Sequence, residues 1–172
     1  LSSEQIVAAL RDRHPAVRRY AIEIAEPWGK DLEVVEQTLM LAHDPNLGVG
    51  LQFALSVGQW DDPRIGKLLA EVARAAPRDT LIETAVISSS AHHSQMLVQE
   101  LFRVASHADI STTLVSRLLI NAANTDRRPE LMFGLHELTD NPDLPRTWRY
   151  AVLDQIWSAV ARAATNRPSV DG

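Results

Sequence analysis

Apolar residues recur along the chain at the three- and four-residue spacing of helices that bury one face. In the first full helix, Val17, Tyr20, Ala21, Ile24 and Ala25 follow this spacing. The pattern returns in every later segment, and no segment alternates apolar and polar residues over the length of a strand. The spacing therefore predicts an all-α protein of about nine helices with no sheet.

The same spacing predicts which other residues lie on buried helix faces. These are Ile6, Val7, Leu10, Leu32, Val35, Leu39, Leu47, Phe53, Leu55, Leu81, Ile82, Leu97, Leu101, Val104, Ala105, Leu114, Leu118, Leu138, Trp148, Val152, Ile156 and Val160. Breaks between helices are expected near Gly58, Pro77, Ser90, Pro129 and Pro142. Gly58 is expected to end its helix in the left-handed conformation, which costs a glycine no Cβ clash.

The apolar pattern repeats after 32 residues. The residues in register are Val17 with Val49 and Leu81, Ala21 with Phe53 and Ala85, Ile22 with Ala54 and Val86, and Ala25 with Val57 and Ser89. Trp28 and Trp60 are separated by the same interval. A period of 20–50 residues is typical of solenoids, in which each unit packs on its neighbours.

Helix pairs with this period, the Asp44-Pro45 turn and the Asp61-Asp62-Pro63-Arg64 turn together resemble HEAT repeats. The resemblance covers residues 14–106 well and 107–164 less closely. It implies antiparallel helix pairs stacked into a right-handed α-α superhelix, with the second helix of each pair on the concave face. The implied units are 14–43, 44–76, 77–106, 107–140 and 141–165, with 1–13 ending a preceding unit and 166–172 forming a frayed tail.

Two segments, 14–27 and 51–60, also resemble the HEAT segment of large planctomycete proteins that carry a β-propeller before the repeats and a c-type haem domain after them. That resemblance implies a secreted or periplasmic parent protein. Because the chain has no cysteine, it has no Cys-x-x-Cys-His motif to attach haem, and no cofactor is expected. The pattern is already under way at Leu1, so we expect structured domains on both sides of this chain and an otherwise monomeric fragment.

Composition narrows the possible functions. Apolar residues make up 45% and charged residues 23% of the 172 residues, which is typical of a folded domain. The net charge of −5 argues against a nucleic-acid binder, since phosphate neutralisation supplies much of that affinity. No apolar run reaches the length of a membrane span.

Three groups of residues suggest chemistry, and in each case a structural role is the preferred interpretation. His92 and His93 lie near Ser88-Ser89-Ser90, but adjacent helical histidines point apart, so a polar turn with a serine cap on the next helix is expected. Carboxylates at Asp31, Asp44 and Asp61-Asp62 are expected to cap helices rather than to bind a metal. The four tryptophans at 28, 60, 148 and 157 are expected to be wedges between helices.

A possible binding surface follows from the HEAT resemblance, because side chains of successive second helices would share the concave face. The residues assigned to it are Glu36, Arg64, Lys67, Arg74, Gln99 and Arg103. Glu36 and Glu71 interrupt the basic positions, so a solvated mixed face and a groove for an anionic ligand both remain open.

Two functions of different class follow from these observations. The first is a non-enzymatic scaffold that holds a protein or a neighbouring domain of its own chain on the concave face. The alternative is a HEAT-like DNA glycosylase or another nucleic-acid-binding repeat protein, with Trp28, Trp60 and Asp62 in the site. At the end of the array, Trp157 or Val160 is expected to be partly bare.

Overall fold

A computed structural model of the chain describes residues 1–103 and 110–165, and within them it contains ten α-helices and no strand. The helices are α1 (Ser3–Leu10), α2 (Pro15–Ala25), α3 (Leu32–Met40), α4 (Leu47–Ser56), α5 (Ile65–Ala75), α6 (Thr80–Ser89), α7 (Ser94–Phe102), α8 (Thr112–Asn124), α9 (Arg128–Asp140) and α10 (Arg146–Thr165). The predicted all-α class is confirmed, with ten described helices rather than about nine.

Short polar side chains start many of these helices. Asp31 accepts hydrogen bonds from the N–H groups of Glu33 and Val34 at the start of α3, and Asp79 does the same for the first turn of α6. Asn46 caps α4 and Ser111 caps α8. Each acceptor satisfies an N–H that has no partner within the helix, and it places a dipole or charge against the positive helix end.

The helices pack in two layers. The even-numbered helices form one layer, in which α2 contacts α4, α4 contacts α6, α6 contacts α8 and α8 contacts α10. In the other layer α1 contacts α3, α5 contacts α7 and α7 contacts α9. The 3₁₀ turn Leu41–His43 packs against α5 and so links it to α3. Each helix therefore contacts mainly its neighbours along the array.

Burial follows the 32-residue register at three sets of positions. Ala21, Phe53 and Ala85 are all buried. The other two sets are also buried, and they are Ile22, Ala54 and Val86, and Ala25, Val57 and Ser89. The helices that carry these positions contact one another, α2 with α4 and α4 with α6, which is consistent with burial at the same positions.

Other apolar residues predicted as core are exposed. These are Val17, Tyr20 and Ile24 of α2, Leu32 of α3, Leu47 and Leu55 of α4, Leu81 of α6 and Val160 of α10. The helices α2 and α4 have apolar residues on more than one side, so spacing alone leaves the buried face ambiguous. Contact with the flanking helices selects the stripe through Ile22 and Ala54 instead.

Two turn predictions are also wrong. Gly58 has a negative φ and lies in a 3₁₀ turn, Val57–Gln59, that ends α4. Its role is close packing, since a Cβ at this position would come within 2.7 Å of the Cα of Ser89. Pro129 lies in the first turn of α9 rather than in a loop, where its missing N–H breaks no helical bond.

The two ends of the described array differ. Ile6, Val7 and Leu10 of α1 are buried, because α2 and α3 cover them. On α10, Trp157 is 73% exposed and Val160 is also exposed, which agrees with the expectation of a partly bare end rather than with the burial that the helix spacing predicts for Val160. No helix in the described residues combines the length and apolarity needed to cross a membrane. The predictions for Val104, Ala105 and the frayed tail at 166–172 fall outside the described residues.

Candidate functional site

A groove of about 300 Å³ lies between α3 and α5. Its lining residues are Glu36, Leu39, Met40, His43, Arg64, Lys67, Leu68 and Glu71. Leu39, Met40 and Leu68 give it an apolar part, and the remaining residues surround that part with charged and polar groups. The groove brings together three of the six predicted surface residues, namely Glu36, Arg64 and Lys67.

Arg64 joins the two sides of this groove. Its Nη2 atom lies 2.6 Å from Oε1 of Glu36 and 2.7 Å from Oδ2 of Asp62, and its Nη1 atom donates to Oε2 of Glu36 at 3.0 Å. These hydrogen bonds from Arg64 hold the pKa values of Glu36 and Asp62 below their ordinary values, and they raise the pKa of Arg64. The guanidinium is therefore oriented by two carboxylates before any partner arrives.

Glu71 pairs with two basic groups on the same surface. Lys67 Nζ lies 3.9 Å from Glu71 Oε1, one helical turn apart on α5. His43 Nε2 lies 3.6 Å from Glu71 Oε2, which is too long for a hydrogen bond, and that oxygen has no hydrogen-bond partner. The surface formed by α3 and α5 thus carries alternating charges.

The other three predicted residues lie farther along the array, at α5 and α7. Arg74 Nη1 donates to the main-chain oxygen of Glu100 at 3.3 Å, and Arg103 Nη1 lies 3.0 Å from the side-chain oxygen Oε1 of Glu100. Gln99 lines a separate pocket of about 400 Å³ with His92 and His93. The six residues therefore fall into two groups, with Glu36, Arg64 and Lys67 at the α3–α5 groove and the other three farther along.

The histidine and serine cluster is a packed polar turn. Ser88, Ser89 and Ser90 donate their hydroxyls to the main-chain oxygens of Ala85, Ala54 and Ile87, respectively. These bonds hold the end of α6 against its own turn and against α4. None of the three hydroxyls donates to a histidine, so the described residues do not place a serine nucleophile beside a histidine that could act as its base.

The predicted serine cap on α7 is wrong. His93 occupies the N-cap position without a side-chain cap bond, and Ser94 instead donates to Glu130 Oε1 of α9 at 2.8 Å. The imidazole of His93 is buried, its Nε2 has no hydrogen-bond partner, and burial lowers its pKa. Ser94 is the first residue of α7, one position past the N-cap, and its hydroxyl joins α7 to α9.

Trp60 is a wedge between helices, as predicted. Its side chain is buried, its Nε1 donates to the main-chain oxygen of Glu26 at 2.9 Å, and its ring packs against Gly29. Trp148 is half-buried and stacks edge-on against Phe102. Trp157 is not a wedge, because its side chain is mostly exposed, and this agrees instead with the expectation that the end of the array is partly bare.

The acidic turns have structural partners. Asp31 is a helix cap, and the hydrogen bond from the N–H of Val34 lowers its pKa. Asp62 accepts from the main-chain N–H of Arg64 as well as from its side chain. Across residues 1–103 and 110–165, no three His, Cys, Asp or Glu side chains are placed to hold a metal ion.

Sequence reasoning missed the ion pair between Arg18 and Asp44. Arg18 Nε lies 2.6 Å from Asp44 Oδ2 and its Nη2 lies 2.8 Å from Oδ1, with both side chains largely buried. Burial raises the pKa of Asp44, but the hydrogen bonds from Arg18 and Asn46 and the charge of Arg18 outweigh it, so the net pKa is lowered. A separation of 26 residues also joins Arg74 to Glu100, but there the guanidinium donates to a main-chain oxygen, so the interval alone could not have indicated the ion pair.

No protein-family model, curated protein or solved structure significantly matches the chain.

Proposed function

We propose that the chain is a HEAT-like repeat array that acts as a non-enzymatic scaffold. In this proposal the groove between α3 and α5 holds a segment of a protein partner or of a neighbouring domain of the same chain. The observation that carries the proposal is the groove itself, an apolar strip of Leu39, Met40 and Leu68 edged by charged groups that are already oriented. Solenoids commonly bind partners along such extended surfaces.

The chemistry of the groove favours a peptide segment over nucleic acid. Arg64 and Lys67 each face a carboxylate, so a phosphate would have to compete with Glu36, Asp62 and Glu71 for them. Nucleic-acid binding depends strongly on phosphate neutralisation, and the net charge is −5. An amphipathic segment could place apolar side chains on Leu39 and Leu68 while its polar side chains meet the mixed rim.

The scaffold proposal includes no active site, and the hydrogen bonds of the serine hydroxyls support this part of it. The hydroxyls of Ser88, Ser89 and Ser90 serve main-chain oxygens, and Ser94 serves Glu130. We therefore expect no turnover of glycans, esters, phosphates or damaged DNA by this chain.

Peptide selection followed by a matched pair of variants tests the scaffold proposal. Peptides are selected on the wild-type chain from a library of amphipathic helices, and their Kd values are measured by isothermal titration calorimetry. Met40 lies in the groove and is 66% exposed, whereas Met132 on α9 lies outside the groove and is 64% exposed. Because each can be changed without opening the core, Met40→Glu should weaken binding by about tenfold or more, and Met132→Glu should not.

Three results would contradict the proposal. The first is a set of selected peptides whose affinity is the same for wild type and Met40→Glu. The second is binding of duplex DNA that weakens steeply with added salt, since this is the behaviour of the glycosylase alternative. Turnover that a single substitution in the groove abolishes would also overturn the non-enzymatic assignment.

A further inference from the structure

A second pocket, of about 330 Å³, lies where α6, the start of α8 and the start of α10 meet. It is separate from the α3–α5 groove and shares no lining residue with it. Its volume falls at the lower end of the range for sites that hold small molecules. The residues around it combine both signs of charge with an aromatic ring.

Glu83 gives the pocket a buried acidic group. The residue is only 4% exposed, and its Oε1 atom has no hydrogen-bond partner. A buried carboxylate oxygen without a donor is costly, and most such groups in folded proteins are paired. The unpaired oxygen of Glu83 therefore points to a ligand that supplies an N–H or O–H group.

The first turn of α8 gives the same pocket hydrogen-bond donors. Thr112 and Thr113 line the pocket, and the first N–H groups of a helix have no acceptor within the helix. Ser111 caps only the N–H of Leu114, which leaves those of Thr112 and Thr113 for another acceptor. Anionic groups bind favourably at such helix starts, and the basic residue Arg78 also lines the pocket.

An apolar wall completes the site. Trp148 and Ile110 both line the pocket, and the indole Nε1 of Trp148 donates to the main-chain oxygen of Ile110 at 3.1 Å. This bond, together with the edge-on contact to Phe102, orients the indole ring. The ring can therefore present an aromatic surface to an apolar side chain of a ligand.

We propose that this pocket binds a small zwitterion of the α-amino-acid type with an apolar side chain. Its ammonium group would pair with the carboxylate of Glu83. Its carboxylate would accept hydrogen bonds from the first turn of α8 and from Arg78, and its side chain would pack on Trp148. A ligand with both charges fits the pocket better than a simple cation or a simple anion, because the lining offers a partner to each charge.

The test is a titration of the ¹⁵N-labelled chain with L-phenylalanine up to about 10 mM, a range that detects weak millimolar affinities. Binding is followed at the amides of Thr112 and Thr113 and at the indole of Trp148. Two analogues that each lack one charged group, phenethylamine and 3-phenylpropionate, are titrated in parallel. We expect saturable shifts with L-phenylalanine and at least about tenfold weaker binding of both analogues, since each loses a charge-assisted hydrogen bond.

Matched variants test the two charged partners separately. Glu83→Gln should weaken binding of L-phenylalanine by about tenfold, and Arg78→Gln should weaken it by a smaller factor, because α8 still holds the carboxylate. Glu33→Gln, in the first turn of α3, and Arg117→Gln, on the exposed side of α8, carry the same charge changes away from the pocket and should bind as wild type does.

Several outcomes would overturn the proposal. One is the absence of saturable shifts, which would mean that the pocket holds water only. Others are equal binding of L-phenylalanine and either analogue, or unchanged affinity in Glu83→Gln. Far-UV circular dichroism verifies that each variant is folded, and the Arg78→Gln result tests the proposal even if Glu83→Gln does not fold.

Discussion

Phe53→Ala provides the sharpest test of the packing in the even-numbered layer. Phe53 is 0% exposed and lies on α4, which contacts both α2 and α6. Removing the ring forfeits about 2–3 kcal/mol of apolar burial. An unfilled cavity of roughly 40–80 Å³ at ~24 cal/mol per Å³ adds about 1–2 kcal/mol.

The expected loss in the free energy of unfolding is therefore about 3–5 kcal/mol. The equivalent residues of the neighbouring helices, Ala21 and Ala85, are too small to fill the space. Urea denaturation followed by circular dichroism measures the loss, and the m-value shows whether unfolding stays two-state. Hydrogen exchange should show that protection falls first in α4 and its two contacting helices, because stability in such arrays depends on nearest neighbours.

Leu55→Ala is the matched control, because Leu55 lies on the same helix and is exposed. The control should lose less than about 1 kcal/mol, since little apolar area is removed from the core. A loss below about 1 kcal/mol in Phe53→Ala itself would refute the reasoning. So would exchange that becomes faster at the ends of the array while α4 stays protected.

Three further predictions concern single contacts. Asp44→Asn should cost about 1–3 kcal/mol at pH 7, because the asparagine side chain has no charge and offers the largely buried guanidinium of Arg18 one acceptor oxygen instead of two. Since the folded-state pKa of Asp44 is lowered, the pair stabilises the protein above the unfolded pKa of about 3.9 and the effect is lost as pH falls through the folded pKa. Urea melts of wild type and variant should therefore converge in acid, and a pH-independent difference would contradict this assignment. Gly58→Ala should cost about 1–3 kcal/mol in the same melts, because its Cβ would meet the backbone of Ser89, and a neutral result would show that α4 and α6 can separate freely. Arg78→Gly should raise stability by about 0.5–1 kcal/mol because Arg78 has a φ of 69°, and a loss of stability would mean that its side chain contributes more than the backbone strain costs.

Much of the secondary structure could be predicted from the sequence, because helix starts and ends depend on nearby residues. Asp31 was identified as a cap before α3, and the structure shows that it accepts the N–H groups of that helix. The sequence also predicts a break near Gly58 correctly, but it does not predict the physical reason for the glycine. Its conformation is ordinary, and the glycine is needed only because α6 approaches it closely.

The candidate sites depended much more on tertiary contacts. Arg64 was identified as a surface residue, but its bonds to Glu36 and Asp62 depend on where α3 lies relative to α5. Nothing in the sequence around Glu83 predicts that it is buried, because a glutamate in the first turn of a helix is ordinarily solvated. In the tertiary structure it is buried, and it lines a pocket together with the start of α8 and Trp148.

The sequence by itself determined that the chain is helical and where most helices begin and end. These properties depend on spacing and capping within a few residues. The tertiary structure alone decided which apolar face of each helix became core, as the exposed Tyr20 and buried Ile22 on α2 show. It also decided which charges meet, because the neighbours that bury a face or pair a charge come from segments tens of residues away.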